Sequence, residues 1–186
     1  NNLQSINISP GTPLLQLDVA ANELTSLDVS SFTSLTWLTA SANNLSNLDV
    51  SMNTQLVRLY SAVNPLDDLD VSLNTELNYL DCGANQLTSL DISSNTALKT
   101  LLCNHNQLIN LDISANTALT DLLCFGNQFT SLDVSLNIEL TSLNLADNQL
   151  SAIDFSTNTL LQFLSLTNNQ NLSGTIPEYI KSLPLD

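Results

Sequence analysis

The chain has 186 residues, of which only 11% are charged, and its 18 acidic side chains far outnumber its three basic ones, Arg58, Lys99 and Lys181. The net charge of −15 argues against nucleic acid or an anionic membrane surface as a partner, because both require a basic footprint. No apolar run reaches the length of about 18 residues that a membrane-spanning helix needs, so the sequence predicts no membrane insertion.

The sequence repeats every 21 residues, without insertions, from residue 14 to residue 168, and residues 1–13 form a partial repeat. In the first half of each unit apolar positions alternate, as in Leu80-Asp81-Cys82, and this period of two predicts a short strand. A single unit cannot bury its own apolar side, but stacked units form one continuous core. Full units begin at Leu14, Leu35, Leu56, Leu77, Leu98, Leu119, Leu140 and Leu161.

An asparagine occupies the same position in every unit, where the chain must turn after the strand. We expect its amide to bind backbone groups that the coil cannot pair within itself, and to bond along the stack. The column comprises Asn22, Asn43, Asn64, Asn85, Asn106, Asn127, Asn148 and Asn169.

The second half of each unit, L-T-S-L-D-V-S-x-N-T-x, has no helical period, so we expect extended or short strand segments on the convex side. An outward aspartate column crowds carboxylates there, and we expect a serine two residues on, together with backbone N–H groups, to hold them. Calcium between coils is the disfavoured alternative, because calcium takes about six to eight oxygen ligands. The column comprises Asp28, Asp49, Asp70, Asp91, Asp112, Asp133 and Asp154.

Three cysteines, Cys82, Cys103 and Cys124, occupy one inward position of consecutive units. Parallel strands hold their Cβ atoms about 4.8 Å apart, which is wider than a disulfide tolerates, and zinc would need a fourth ligand in an apolar core. We predict small buried hydrophobic side chains rather than a metal or redox site. His105 lies beside a turn asparagine, and we predict a solvated residue rather than a catalytic base.

The outward positions of the predicted strands differ from unit to unit, and five of the nine aromatic residues fall there: Trp37, Tyr60, Tyr79, Phe125 and Phe163. Aromatic and arginine side chains dominate the energetics of interfaces, and contiguous exposed apolar area marks binding sites. We therefore predict a ligand-binding site on the concave side. It comprises Trp37, Arg58, Tyr60, Tyr79, Asp81, Leu102, Asp121, Leu123 and Phe125.

The pattern L-x-x-L-x-(L/C/A/V)-x-x-N-x-L resembles the leucine-rich-repeat consensus. The longer L-x-x-L-D-V-S-x-N-T-x-L-x-x-L-x-C-x-x-N-Q-L is similar to repeats of internalin-like bacterial surface proteins, particularly the flavobacterial type with 21-residue units. The fold expected is a β-rich, right-handed, curved solenoid with a parallel concave sheet and very little helix, in a single domain over residues 1–186. The resemblance also implies secretion, cell-surface attachment through further domains, and adhesion to another protein.

Residues 169–186 depart from the regular unit. The stretch from Asn169 to Ile180 resembles the N-x-L-S-G-x-I-P-x-x-I pattern of plant-type repeats, and we expect it to cap the stack or begin a divergent last repeat. Solenoids need polar caps, and neither end shows a cap bounded by cysteines, so we expect the natural protein to be longer.

We interpret the chain as a non-enzymatic binding domain of a secreted or cell-surface bacterial protein, acting in adhesion or virulence. Its expected partner is a protein, such as a host cell-surface receptor, and no cofactor or metal is predicted. One alternative is a carbohydrate-binding module that stacks sugar rings on Trp37, Tyr60 and Tyr79. Another is a calcium-binding or purely structural spacer. The sequence leaves the partner's identity and the oligomeric state open.

Overall fold

The computed structural model describes residues 1–9 and 13–173. Eight strands of three residues each form one parallel sheet, in which strands that are consecutive in the chain are neighbours. This arrangement confirms the predicted solenoid with a parallel sheet. The strands are β1 (Gln16–Asp18), β2 (Trp37–Thr39), β3 (Arg58–Tyr60), β4 (Tyr79–Asp81), β5 (Thr100–Leu102), β6 (Asp121–Leu123), β7 (Ser142–Asn144) and β8 (Phe163–Ser165).

The register of the sheet follows the period of the sequence. Leu59 pairs with Leu80, and Leu80 pairs with Leu101, so residues 21 positions apart are direct neighbours. The middle residue of every strand is buried and most residues flanking it are at least partly exposed, as the alternating pattern predicts. We call the outward side of the eight strands the concave face and the opposite side the convex face.

The core is one continuous column of aliphatic side chains, to which every full coil contributes from its strand and from its return segment. In a central coil the strand supplies Leu80 and the return supplies Leu87 and Ile92, all of them almost fully buried. Leu101, one coil further on, has no exposed surface. A coil on its own could not bury these side chains, so stacking is the source of stability.

The convex side is extended, and over residues 1–9 and 13–173 it contains neither strand nor helix. Two successive tight turns close each coil, as where the N–H of Asn95 donates to the Ile92 carbonyl and the N–H of Leu98 to the Asn95 carbonyl. Coils are also tied to each other here, for example by the N–H of Gln86 to the Leu66 carbonyl at 2.8 Å. Of the two predicted alternatives for the convex side, extended segments and short strands, the structure shows extended segments.

The asparagine column behaves as predicted. The Asn85 amide donates to the carbonyls of Cys82 in its own coil and of Ser61 in the preceding coil, at 3.0 and 3.2 Å. Its Oδ1 accepts the N–H of Leu66 at 3.1 Å. In all eight coils the residue before the asparagine takes a left-handed conformation, as at Ala84 with φ of 51°. The asparagine bonds hold a turn that few non-glycine residues adopt unaided.

A second asparagine column, which the sequence analysis did not single out, lies in the convex turns and is completely buried. The Asn95 amide donates to the carbonyls of Val71 and Asn74 in the preceding coil, at 3.0 and 2.9 Å. Among the residues that the structure describes, the Oδ1 atoms of this column have no hydrogen-bond partner. Phe32 fills the equivalent position in the first coil. The column comprises Asn53, Asn74, Asn95, Asn116, Asn137 and Asn158.

Both ends of the described chain keep the pattern of the repeat. Leu3 donates its N–H to Asn22 Oδ1 at 3.2 Å, and Ile8 packs against the core. At the other end Asn169 Oδ1 accepts the N–H of Leu150 at 2.9 Å, as in the preceding coils. Most of the predicted plant-type segment and cap, residues 174–186, lies outside the described residues.

Candidate binding face

Eight of the nine predicted site residues are outward residues of β2 to β6 on the concave face, and Phe125 lies two residues beyond β6. The sheet register sets their spacing, because each strand carries two outward side chains around one buried leucine. Arg58 is exposed and the other eight are partly buried. None of them contributes to the aliphatic core, so their chemistry is not explained by packing of the solenoid.

Three aromatic rings form a continuous run across β2, β3 and β4. The Trp37 and Tyr60 ring centroids are 5.7 Å apart with planes 23° from parallel, and the Tyr60 and Tyr79 centroids are 4.6 Å apart. Trp37 is held by a bond from Nε1 to Thr39 Oγ1 at 2.8 Å, and the Arg58 guanidinium lies over its ring at 5.2 Å. We call Trp37, Tyr60 and Tyr79 the aromatic run.

A second apolar cluster lies on β5 and β6 and just beyond them. Leu102 and Leu123 are paired in register, and the Phe125 ring meets the His105 ring edge-on at 4.8 Å. We call Leu102, Leu123 and Phe125 the apolar pad. His105 is exposed, as predicted, but the sequence did not reveal its contact with Phe125.

Two glycines shape the margin of this face. A Cβ atom on Gly126 would lie 2.6 Å from His105 Nδ1, and one on Gly83 would lie 2.8 Å from Asn104 Oδ1. Each glycine therefore leaves room for a larger side chain from a neighbouring coil. Gly126 also has a positive φ of 68°, which suits a residue without Cβ. The positions of the two glycines could be read from the sequence, but their close approach to Asn104 and His105 could not.

Phe163 stands apart from the predicted site. It is the outward residue of β8, and Ser142 separates it from Asp121 along the same column of the sheet. The structure thus brings together the aromatics of the earlier coils and leaves Phe163 at the far end.

Asp81 is the carboxylate of the eight strands whose surroundings raise its pKa. It is partly buried, and its Oδ1 accepts one hydrogen bond, from the Gly83 N–H at 3.1 Å. Burial raises its pKa above the usual range, and the Gly83 bond opposes that shift. Burial, followed by the negative charge of Asp81, also raises the pKa of Tyr79. By contrast, Asp121 Oδ2 accepts the Thr120 hydroxyl at 2.7 Å.

The carboxylates of the aspartate column on the convex face accept hydrogen bonds from the predicted donors. In all seven coils the backbone N–H of the serine two residues on donates to the carboxylate, at 2.8–2.9 Å. Ser30 adds a bond from its hydroxyl to Asp28 at 2.7 Å. These hydroxyl and backbone donors lower the pKa of six of the carboxyls, and at Asp91 the backbone N–H is the larger cause.

The buried cysteines are free thiols, as predicted. Burial raises the pKa of Cys82, and a hydrogen bond with Cys124 together with burial raises that of Cys103. Across the described ranges no group of three His, Cys, Asp or Glu side chains is placed to hold a metal ion. In the same residues no helix is long and apolar enough to cross a membrane.

No protein-family profile matches the sequence, and no curated protein is significantly similar to it. Solved structures do resemble it. A leucine-rich-repeat protein of Leptospira interrogans superimposes with a TM-score of 0.86 at 24% identity, over 93% of this chain and 48% of the other. The chain has the leucine-rich-repeat fold.

This leucine-rich-repeat solenoid also resembles the functional domain of InlJ from Listeria monocytogenes, which includes a cysteine ladder. The TM-score is 0.69 at 30% identity, over 98% of this chain and 50% of that one. YopM from Yersinia enterocolitica superimposes with a TM-score of 0.72 at 26% identity, over 86% of this chain and 34% of YopM. The chain thus spans about half the length of the first two structures, and its fold is internalin-like.

Proposed function

We propose that this solenoid is a protein-binding domain and that the concave face is its binding surface. The observation that carries the proposal is the contrast between the two faces. The aromatic run and the apolar pad are partly exposed and vary from coil to coil. The convex face repeats one aspartate–serine arrangement in seven coils. Specific recognition requires an irregular set of anchors. The exposed convex side chains that vary are separate aliphatic ones, such as Met52, Leu73 and Leu136, whereas the concave face carries aromatic rings in contact with each other and an arginine.

The geometry of the rings supports a protein rather than a glycan as the partner. A sugar ring stacks on a free aromatic face. Tyr60 lies between Trp37 and Tyr79, so neighbouring rings already contact it on both sides, and Arg58 lies over Trp37. Tryptophan, tyrosine and arginine in one contiguous patch are the residues that anchor protein interfaces.

We also propose that the domain acts outside the bacterial cell, secreted or attached to the surface, in adhesion or host interaction, and that it catalyses no reaction. The similarity to the functional domain of InlJ and to YopM supports this setting. The chemistry of the face agrees, because its apolar clusters and isolated carboxylates suit docking better than bond cleavage.

Site-specific photo-crosslinking tests the proposal. p-Benzoylphenylalanine in place of Phe125 should capture a discrete protein from the surface of host cells, in competition with the unmodified chain. The matched control carries the same group in place of Thr88, which is exposed on the convex face. Capture from Thr88 alone would contradict the proposal. Binding to a glycan array, with no protein captured at Phe125, would favour the carbohydrate alternative.

A further inference from the structure

Four outward side chains on β3 and β4 form a square. Arg58 is in register with Tyr79, and Tyr60 is in register with Asp81. The two tyrosine rings meet across one diagonal, with centroids 4.6 Å apart. Arg58 and Asp81 occupy the other diagonal, so the rings lie between the two opposite charges.

Arg58 does not neutralise Asp81. Its guanidinium lies over the Trp37 ring, one coil away in the opposite direction. Arg58 is the one basic residue in the eight strands. Within residues 1–9 and 13–173, the Gly83 N–H is the only hydrogen-bond donor to Asp81, and no cation pairs with it. A partly buried carboxylate with one donor carries a desolvation cost that a partner can relieve.

The surroundings of Asp81 define what would relieve that cost. Its neighbours in register are Tyr60 on one strand and Leu102 on the other. A lysine or arginine side chain matches this environment, because its apolar stem packs on aliphatic and aromatic surface while its charged end bonds the carboxylate.

We propose that Asp81, with Tyr60, Tyr79 and Leu102, forms the subsite that receives a lysine or arginine side chain of the protein partner. The inference rests on the proposed function and deepens it, by giving the partner a basic residue flanked by apolar ones. The net charge of −15 steers such a segment toward this chain.

The repeat supplies matched controls for this site. Asp18 is at the equivalent position of the first coil and accepts the same kind of bond, from the Ala20 N–H at 3.0 Å, but it is exposed. Asn144 is at that position of the seventh coil and accepts the Ala146 N–H at 3.1 Å. An asparagine therefore fits the local backbone, and Asp81→Asn removes the charge without removing the turn.

The experiment titrates N-acetyl-argininamide and N-acetyl-lysinamide into the protein and follows the Gly83 amide and the tyrosine rings by NMR. At least one of the two should shift these signals saturably, and the stronger binder identifies the preferred cation. Asp81→Asn should weaken that binding by about tenfold or more, as expected for loss of a charged hydrogen-bond partner. Asp18→Asn should leave it unchanged, and neutral N-acetyl-glutaminamide should not bind.

Absence of saturable shifts with both cations would overturn the inference, as would equal binding by wild type and Asp81→Asn. An equal loss in Asp18→Asn would show a general charge effect and would also overturn it. These outcomes are separate from those for the proposed function. A protein captured at Phe125 with no cation bound at Asp81 leaves the function standing and removes the subsite.

Discussion

The Tyr60 ring lies 4.6 Å from the Tyr79 ring, across the diagonal of four outward positions on two adjacent strands. The contact links side chains 19 residues apart in the sequence and completes the run that begins at Trp37. Offset or tilted ring pairs at this distance are stabilising beyond the area they bury. The concave face therefore has a pre-formed aromatic centre, which would lower the entropy lost if the proposed partner docks there.

Truncation of a core leucine tests the register of the coils. Leu101 is fully buried in a central coil, so Leu101→Ala should lower the free energy of unfolding by about 2–5 kcal/mol. Thr88→Ala, on the exposed convex side, should change it by less than about 0.5 kcal/mol. Urea denaturation measures both. Equal midpoints for the two variants would be incompatible with the register described above.

The second asparagine column gives a polar counterpart of that test. Asn95→Ala removes two hydrogen bonds, to the carbonyls of Val71 and Asn74, which keep one backbone donor each, the N–H of Asn74 and of Leu77. We expect a loss of about 1–3 kcal/mol in the free energy of unfolding, since each lost hydrogen bond costs about 0.5–1.5 kcal/mol. Ser94→Ala at the exposed neighbouring position is the control. If both variants unfold at the same urea concentration, the column does not support the turns.

The aspartate column should make the fold sensitive to acid. In six coils serine donors lower the pKa of these carboxyls in the folded state below the ordinary value of 3.8. The corresponding stability is therefore present above pH 3.8 and is lost as the pH falls through the lower folded value. Asp91→Asn should flatten this dependence at one coil, measured by urea denaturation at about pH 6 and about pH 3. An unchanged profile in a variant with several such substitutions would refute the assignment.

The contribution of Asp81 to the stability of the fold should change with pH in the opposite direction. Burial raises its pKa in the folded state, so the ionised form destabilises the fold at neutral pH, and this penalty disappears as the pH falls through the raised value. Asp81→Asn should therefore raise the melting temperature at neutral pH, whereas Asp18→Asn, at the exposed equivalent position, should not. A lower melting temperature for Asp81→Asn alone would show that the charge is already compensated within the chain.

The sequence was sufficient to predict the strands and the face on which the candidate residues lie. A fixed period of 21 residues sets the register, and alternation around Leu80 separates inward from outward positions. The sequence was not sufficient to predict the side-chain contacts within that face. The Tyr60–Tyr79 and His105–Phe125 pairs depend on side-chain rotamers, which periodicity does not determine.

The buried column at Asn95 was missed for a different reason. The N-T-x motif was visible in five coils, but hydrophobic patterning assigns polar residues to the surface by default. Only the position of the Asn95 amide beside two carbonyls of the preceding coil explains why a polar side chain is buried there.

The central claim is that the concave face binds a protein partner, and the affinity of the protein captured at Phe125 tests it most directly. Isothermal titration calorimetry should show that Tyr60→Ala and Phe125→Ala each weaken binding by about 2 kcal/mol or more, roughly 30-fold. Circular dichroism should show both variants folded, since neither side chain belongs to the aliphatic core. Asp112→Asn, on the convex face, should bind like the wild type. Loss of binding in Asp112→Asn, with normal binding by both concave variants, would contradict the account.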